Sequence, residues 1–149
     1  PIKKSFGGYL MNPEEYPFVP QFSEFNLKNE LYKQNIEHPE IALAQAKVES
    51  DHFKSPIFKE NNNLFGMKKA TQRKTTAVGA NRGHAKYNNW VDSVKDYKLW
   101  QSTQGYTGLS QDQYLNKLSR TYCSPPDCPE GYYGKIISKV AGIPFNSKR

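Results

Sequence analysis

The run His38-Pro39-Glu40-Ile41-Ala42-Leu43-Ala44-Gln45-Ala46-Lys47-Val48-Glu49-Ser50 constrains the fold more than any other stretch of the chain. Pro39 stands where a helix can begin, because its missing N–H would be unpaired in the first turn, and Glu40 behind it complements the helix dipole. At about 100° per residue, Ile41, Gln45 and Val48 share one side, Leu43 and Ala46 another, and Ala42 lies beside Glu49. Lys47 alone carries charge between Ile41 and Val48. A helix apolar on most of its circumference belongs in a domain centre, and a carboxylate near its end is partly desolvated. Desolvation raises a carboxylic pKa and leaves the group able to donate a proton, which is what a general acid does. The alternative for Glu49 is a frayed helix end in water or a pair with a lysine.

The rest of the chain reads as helices around one flap. Pro1 to Gln21, with four prolines and a Gly-Gly pair, is an extended arm pinned by Phe6, Tyr9, Tyr16 and Phe18. Residues 22–149 form one domain. Ser23 caps a helix over Glu24–Glu37 whose apolar stripe is Phe25, Leu27, Leu31, Tyr32 and Ile36. A turn of helix runs from Ile57 to Glu60. Three asparagines precede Leu64-Phe65-Gly66 and compete for the backbone, so this is an ordered loop or cap. The polar, Thr-rich segment from Met67 to Tyr87 is a small hairpin or flap. Asn88 or Asn89 caps a helix bearing Trp90, Val94, Tyr97, Trp100 and Gln101. Ser110 with Gln113 makes a capping box for another helix ending near Tyr122, and a last helix covers Tyr132 to Val140. The fold class is mainly α, within α+β, with one small β-hairpin lobe.

Charge and cysteine usage narrow the function. The 21 Lys and Arg against 14 Asp and Glu give a net charge of +7, which biases the surface toward polyanions such as wall polymers, anionic membranes or nucleic acid. The basic residues are scattered, and no nucleic-acid fingerprint accompanies them. No apolar run approaches the roughly 18–20 residues of a membrane helix. Pro1 to Tyr9 has no apolar signal core, so the expectation is a signal outside this numbering or another route of release. Cys123 and Cys128, with four residues between them, favour a small disulfide loop and an oxidising compartment over a zinc site; two reduced, buried thiols are the alternative. His38, His52 and His84 show neither metal spacing nor a Ser or Cys partner and read as structural or exposed. No metal site and no cofactor are expected.

Three motifs in order then resemble a known family. Pro39-Glu40-Ile41-Ala42-Leu43-Ala44-Gln45-Ala46 with Glu49-Ser50, Asn62-Asn63-Leu64-Phe65-Gly66-Met67-Lys68, and Tyr87, Trp90, Ser93, Asp96 and Tyr97 closely resemble the bacterial glucosaminidases, glycoside hydrolase family 73, over roughly Phe22 to Val140. The resemblance implies a lysozyme-like helical domain with a β-lobe and cleavage of the β-1,4 bond after N-acetylglucosamine in peptidoglycan. It makes Glu49 the catalytic general acid and Asn63 and Phe65 substrate-binding residues. Tyr122 and Tyr132-Tyr133-Gly134-Lys135-Ile136 resemble the family's late tyrosine motif, with Tyr132 the better match for the tyrosine near the acid; core packing is the alternative for Tyr122. It further implies a wall enzyme of the periplasm or cell exterior whose partner is the glycan strand, acting as a monomer and without nucleic acid or a membrane segment.

One departure from the family matters. Many members carry a second acidic residue in the β-lobe, whereas no Asp or Glu lies between Glu60 and Asp92. The expectation is that the substrate's acetamido group acts as nucleophile, with Asp51, Glu60 and Asp92 as fallback carboxylates. The competing functions are a lytic transglycosylase, which needs one carboxylate, an inactive wall-binding module, and a nucleic-acid binder resting on charge alone.

Overall fold

The computed structural model describes residues 4–6, 9–11 and 18–147, the first two segments as backbone only. Strands β1 (Lys4–Phe6) and β2 (Tyr9–Met11) pair antiparallel, with Ser5 opposite Leu10. Tyr16 and the side chains of Phe6 and Tyr9, expected to pin the arm, lie outside the described residues. Phe18 does not pin it, being 77% exposed. The anchor is instead Pro20, whose carbonyl accepts from the Trp90 indole at 2.8 Å.

Helix α1 (Glu24–Lys33) is capped by Ser23, whose hydroxyl accepts from the Asn26 N–H. It ends four residues before the sequence expectation, because the chain turns at Gln34 and Asn35, the latter at φ +55°. Leu27 and Leu31 face inward, while Phe25 and Tyr32 from the expected stripe are exposed. Helix α2 (Pro39–Glu49) begins on the proline and ends on the glutamate. Helix α3 (Pro56–Asn61) follows, then a long loop, then the hairpin of β3 (Gly79–Asn81) and β4 (His84–Lys86), in which Ala80 pairs with Ala85. Helix α4 (Trp90–Thr103) is capped by Asn89. Helix α5 (Gln111–Tyr122) has the expected capping box of Ser110 and Gln113. Helix α6 (Tyr132–Ala141) closes the fold.

The core has two clusters, and α2 separates them as its pattern requires. Ala42 and Ala46 face Leu27, Leu31, Leu64, Phe65, Val94 and Tyr97. Ile41 and Ala44 face Tyr106, Tyr114, Leu115, Leu118, Tyr133 and Ile137. Each fully buried Leu or Ile here contributes about 1.5–3 kcal/mol. The short side chains of α2 let neighbouring helices approach closely. Between α5 and α6 the same end is reached by Gly134, where a Cβ would stand 2.6 Å from Ser119 Oγ and 2.9 Å from Leu115 O. Cys123 and Cys128 form the expected disulfide, closing the loop that follows α5.

Candidate active site

Glu49 is presented by an abrupt helix end. Ser50 Oγ donates to Ala46 O at 2.6 Å and accepts from Phe53 N–H at 2.8 Å, while Asp51, His52 and Phe53 all take positive φ. This left-handed run stops α2 and folds Phe53 back onto Phe22 and Phe58. The serine of the Glu-Ser pair is therefore a helix stop, which leaves the glutamate as the last residue of α2.

Two elements close on the carboxyl group. Tyr133 of α6 donates its hydroxyl hydrogen to Glu49 Oε2 at 2.6 Å. On the other side runs Gly66, at φ +67°, where a Cβ would come within 2.7 Å of Oε1. Tyr122 stacks on Tyr133 with ring centroids 5.1 Å apart and planes 10° from parallel, and its hydroxyl donates to Phe65 O at 3.3 Å. The tyrosine pair thus ties α5 and α6 to the loop beside the acid. Burial raises the Glu49 carboxyl above its ordinary range, and the Tyr133 hydrogen bond and the charge of His84 offset part of that rise. Burial also holds the Tyr122 and Tyr133 hydroxyls well above the usual tyrosine range, so they remain protonated donors at neutral pH. Gln45, one turn before Glu49, is fully buried; its Oε1 accepts from Tyr97 OH at 2.6 Å, and its Nε2 has no hydrogen-bond partner among the described residues.

The structure places the two adjacent tyrosines on different faces of α6. Gly131, at φ +74°, starts α6, and Tyr132 in its first turn points outward with 46% exposure. Tyr133 shares the inner face with Ile137, four residues on, and so is the tyrosine that reaches Glu49.

The Asn63 and Phe65 side chains are both engaged inside the protein. Asn63 Nδ2 donates to Met67 O and Ala85 O, each at 2.9 Å, and its Oδ1 accepts from Met67 N–H. Phe65 is fully buried against the Tyr97 ring, 4.2 Å between centroids. The asparagine run works as a clasp for the hairpin: Asn61 Nδ2 donates to Asn81 O at 2.8 Å, and Asn62 Nδ2 to Tyr87 O at 3.0 Å. Tyr122, by contrast, is half-buried and lines a groove.

The fallback acids lie among other partners or in the open. Glu60 pairs with Arg82 at 2.9 Å, and this partner holds its carboxyl below the ordinary range. Asp92 sits in the first turn of α4 with Lys95 beside it, and Asp51 is exposed. The fully buried Asp96 accepts from Arg73 at 2.7 Å and from Tyr87 OH at 2.5 Å, which anchors the loop before the hairpin to α4.

Beside Gly66 opens a groove of about 600 Å³, lined by the 66–73 loop, by Trp100 of α4 and Gln104 just after it, and by Thr121 and Tyr122 of α5. Its lining includes Lys68, Lys69 and Arg73 and no carboxylate. Among the described residues no cluster of His, Cys, Asp and Glu is arranged to hold a metal ion, and no helix is long and apolar enough to cross a membrane.

Comparison with solved structures finds two similar chains, the first of them similar in fold. One is a chain of a type VI secretion system effector–immunity complex from Pseudomonas protegens, 21% identical, covering 80% of this chain and 86% of that one, with a TM-score of 0.55. The other is the catalytic domain of the autolysin Auto from Listeria monocytogenes, 15% identical, covering 87% and 89%, with a TM-score of 0.44. No curated protein matches the sequence. The family model described as glucosaminidase, mannosyl-glycoprotein endo-β-N-acetylglucosaminidase, matches residues 26–142. A lysozyme-like α+β fold, a desolvated glutamate at the end of its central helix and a family match across most of the chain lead to one conclusion: this protein belongs to the glucosaminidase family of glycoside hydrolases and is an endo-β-N-acetylglucosaminidase.

Proposed function

We propose that the protein hydrolyses peptidoglycan at the β-1,4 bond after N-acetylglucosamine, with Glu49 as general acid. The observation that supports this most is the state of Glu49, a carboxyl pushed up by burial and held on one oxygen by Tyr133, beside an open groove lined by cations. A protonated carboxyl in that position gives its proton to the glycosidic oxygen as oxocarbenium-like charge develops on the sugar. Tyr133 fixes the orientation of the carboxyl and stabilises the carboxylate that remains.

The nucleophile in this reading is the substrate's own acetamido oxygen, because the lining of the groove carries no second carboxylate. Glu49 then acts as base toward the water that resolves the intermediate. The glycan strand lies in the groove against Trp100 and Tyr122, as amphipathic aromatic walls favour. Lys68 and Lys69, exposed and without an ion-pair partner among the described residues, face the carboxylates of the lactyl groups and stem peptides. The enzyme works as a monomer in the periplasm or cell wall, and neither a metal nor a cofactor enters the reaction.

Mass spectrometry of digested sacculi tests this reading. Fragments ending in reducing N-acetylglucosamine are expected. Anhydro-muropeptides would make the protein a lytic transglycosylase, and binding without cleavage would make it a wall-binding module.

A further inference from the structure

The β3–β4 hairpin has only three residues in each strand, yet two fully buried asparagines are devoted to holding it. Asn61 and Asn63 reach the carbonyls of Asn81 and Ala85, and Ala85 N–H donates to Met67 O at 2.9 Å. Strand β4 is thereby fixed next to the Gly66–Met67 segment that borders Glu49. Ala85 points into the core, so alternation along the strand turns His84 to the opposite face.

The state of the His84 ring follows from its single hydrogen bond. Nδ1 lies 2.9 Å from the carbonyl oxygen of Arg82, which can only accept, so in the neutral ring Nδ1 carries the hydrogen. The lone pair is then on Nε2, which has no hydrogen-bond partner among the described residues. The ring is half-buried and is held by its own turn. The Ala85 contact with Met67 O, and the approach of Gly66 to Glu49 Oε1, set this hairpin beside the segment that borders the acid. A partnerless imidazole nitrogen on a clasped hairpin, next to the segment that borders a carboxyl acid, is a proton acceptor in want of a donor.

We propose that His84 is a second catalytic residue, its Nε2 accepting the N–H of the substrate's acetamido group while Glu49 protonates the leaving oxygen. The inference rests on the acetamido reading above. In the first half-reaction the acetamido oxygen bonds to the anomeric carbon as the bond from that carbon to the leaving oxygen breaks. The electron pair of the broken bond stays on the leaving oxygen, which takes the Glu49 proton. The amide proton passes to Nε2, and the ring closes as a neutral oxazoline. In the second half-reaction water adds to the anomeric carbon and gives its proton to Glu49. The carbon–oxygen bond of the oxazoline opens, and the amide nitrogen recovers its proton from His84. Both side chains return to their starting states, and the product keeps the β configuration.

The test compares the wild-type protein with His84→Ala in three measurements: kcat on purified sacculi, the anomer released by the wild type, and affinity for N-acetylglucosamine-thiazoline. Thermal melting controls for an intact hairpin. Expected are a kcat lower by about 10²–10³-fold, a β anomer, at least tenfold weaker thiazoline binding and an unchanged melting temperature. An α anomer from the wild type overturns the acetamido reading and this proposal with it. A β anomer with undiminished kcat in His84→Ala overturns the role of His84 alone, as does lower kcat with undiminished thiazoline affinity. A His84→Ala protein whose losses follow a lowered melting temperature makes His84 a structural residue of the hairpin and also overturns it.

Discussion

Tyr133 reaches across 84 residues of sequence to place its hydroxyl hydrogen on Glu49 Oε2 at 2.6 Å. That contact opposes the burial which raises the Glu49 carboxyl, because a hydrogen bond given to the charged form favours it. Tyr133→Phe therefore leaves the Glu49 pKa higher. A general acid works while protonated, so the alkaline limb of the kcat profile moves to higher pH. The loss of orientation lowers kcat at the optimum, and a charge-assisted hydrogen bond is worth about 1.5–3 kcal/mol. Rates measured across the pH range check both effects. A profile that moves toward lower pH would contradict the assignment.

Gly66 is required for two separate reasons. Its φ of +67° disfavours any side chain, and a Cβ would lie 2.7 Å from Glu49 Oε1. Gly66→Ala is expected to lose about 1–2 kcal/mol from the backbone conformation alone and to turn the carboxyl away from Tyr133, which abolishes most activity. Thermal melting and a cleavage assay separate the two effects.

Asp96 is a structural acid. Asp96→Ala strands the Arg73 guanidinium, whose side chain is 8% exposed, and removes the acceptor of the Tyr87 hydroxyl. Breaking a buried pair on one side costs about 3–5 kcal/mol. Urea denaturation should show that loss, and any activity lost should follow the unfolded fraction.

Lys68 and Lys69 are expected to set preference for acidic substrate. The double substitution Lys68→Ala with Lys69→Ala should lower kcat/KM on intact sacculi several-fold and flatten its dependence on salt, as screening of exposed charges dictates. Activity on glycan stripped of its stem peptides should change less. Equal losses on the two substrates would remove the peptide from the account.

The helical frame was legible because its signals are local. Pro39 starts α2, Ser23, Asn89 and Ser110 cap their helices, and the apolar period of α2 places it between two core clusters. The period marks Glu49 as a candidate beside the alternative of a frayed or lysine-paired end, and the resemblance carried by the three motifs singles it out as the acid. The partners of Glu49 were harder to read, because each depends on contacts distant in sequence. Tyr132 and Tyr133 are adjacent, and the left-handed Gly131 that starts α6 decides which of them faces inward. Asn63 and Phe65 sit in a motif beside the acid, yet the hairpin and Tyr97 consume their side chains. His84 has neither metal spacing nor a nucleophile near it in sequence. A backbone contact distant in sequence, Ala85 N–H to Met67 O, sets its strand beside the segment that borders Glu49.

The central claim is that Glu49 supplies the proton to the leaving oxygen, and the rate at which Glu49→Gln releases reducing N-acetylglucosamine ends from purified sacculi tests it most directly. The amide keeps an acceptor for Tyr133 but has no proton to transfer. A general acid contributes about 10²–10⁴-fold, so the account predicts a rate lower by at least 10²-fold in a variant that melts no lower than the wild type. A folded Glu49→Gln protein with activity within tenfold of wild type would contradict it.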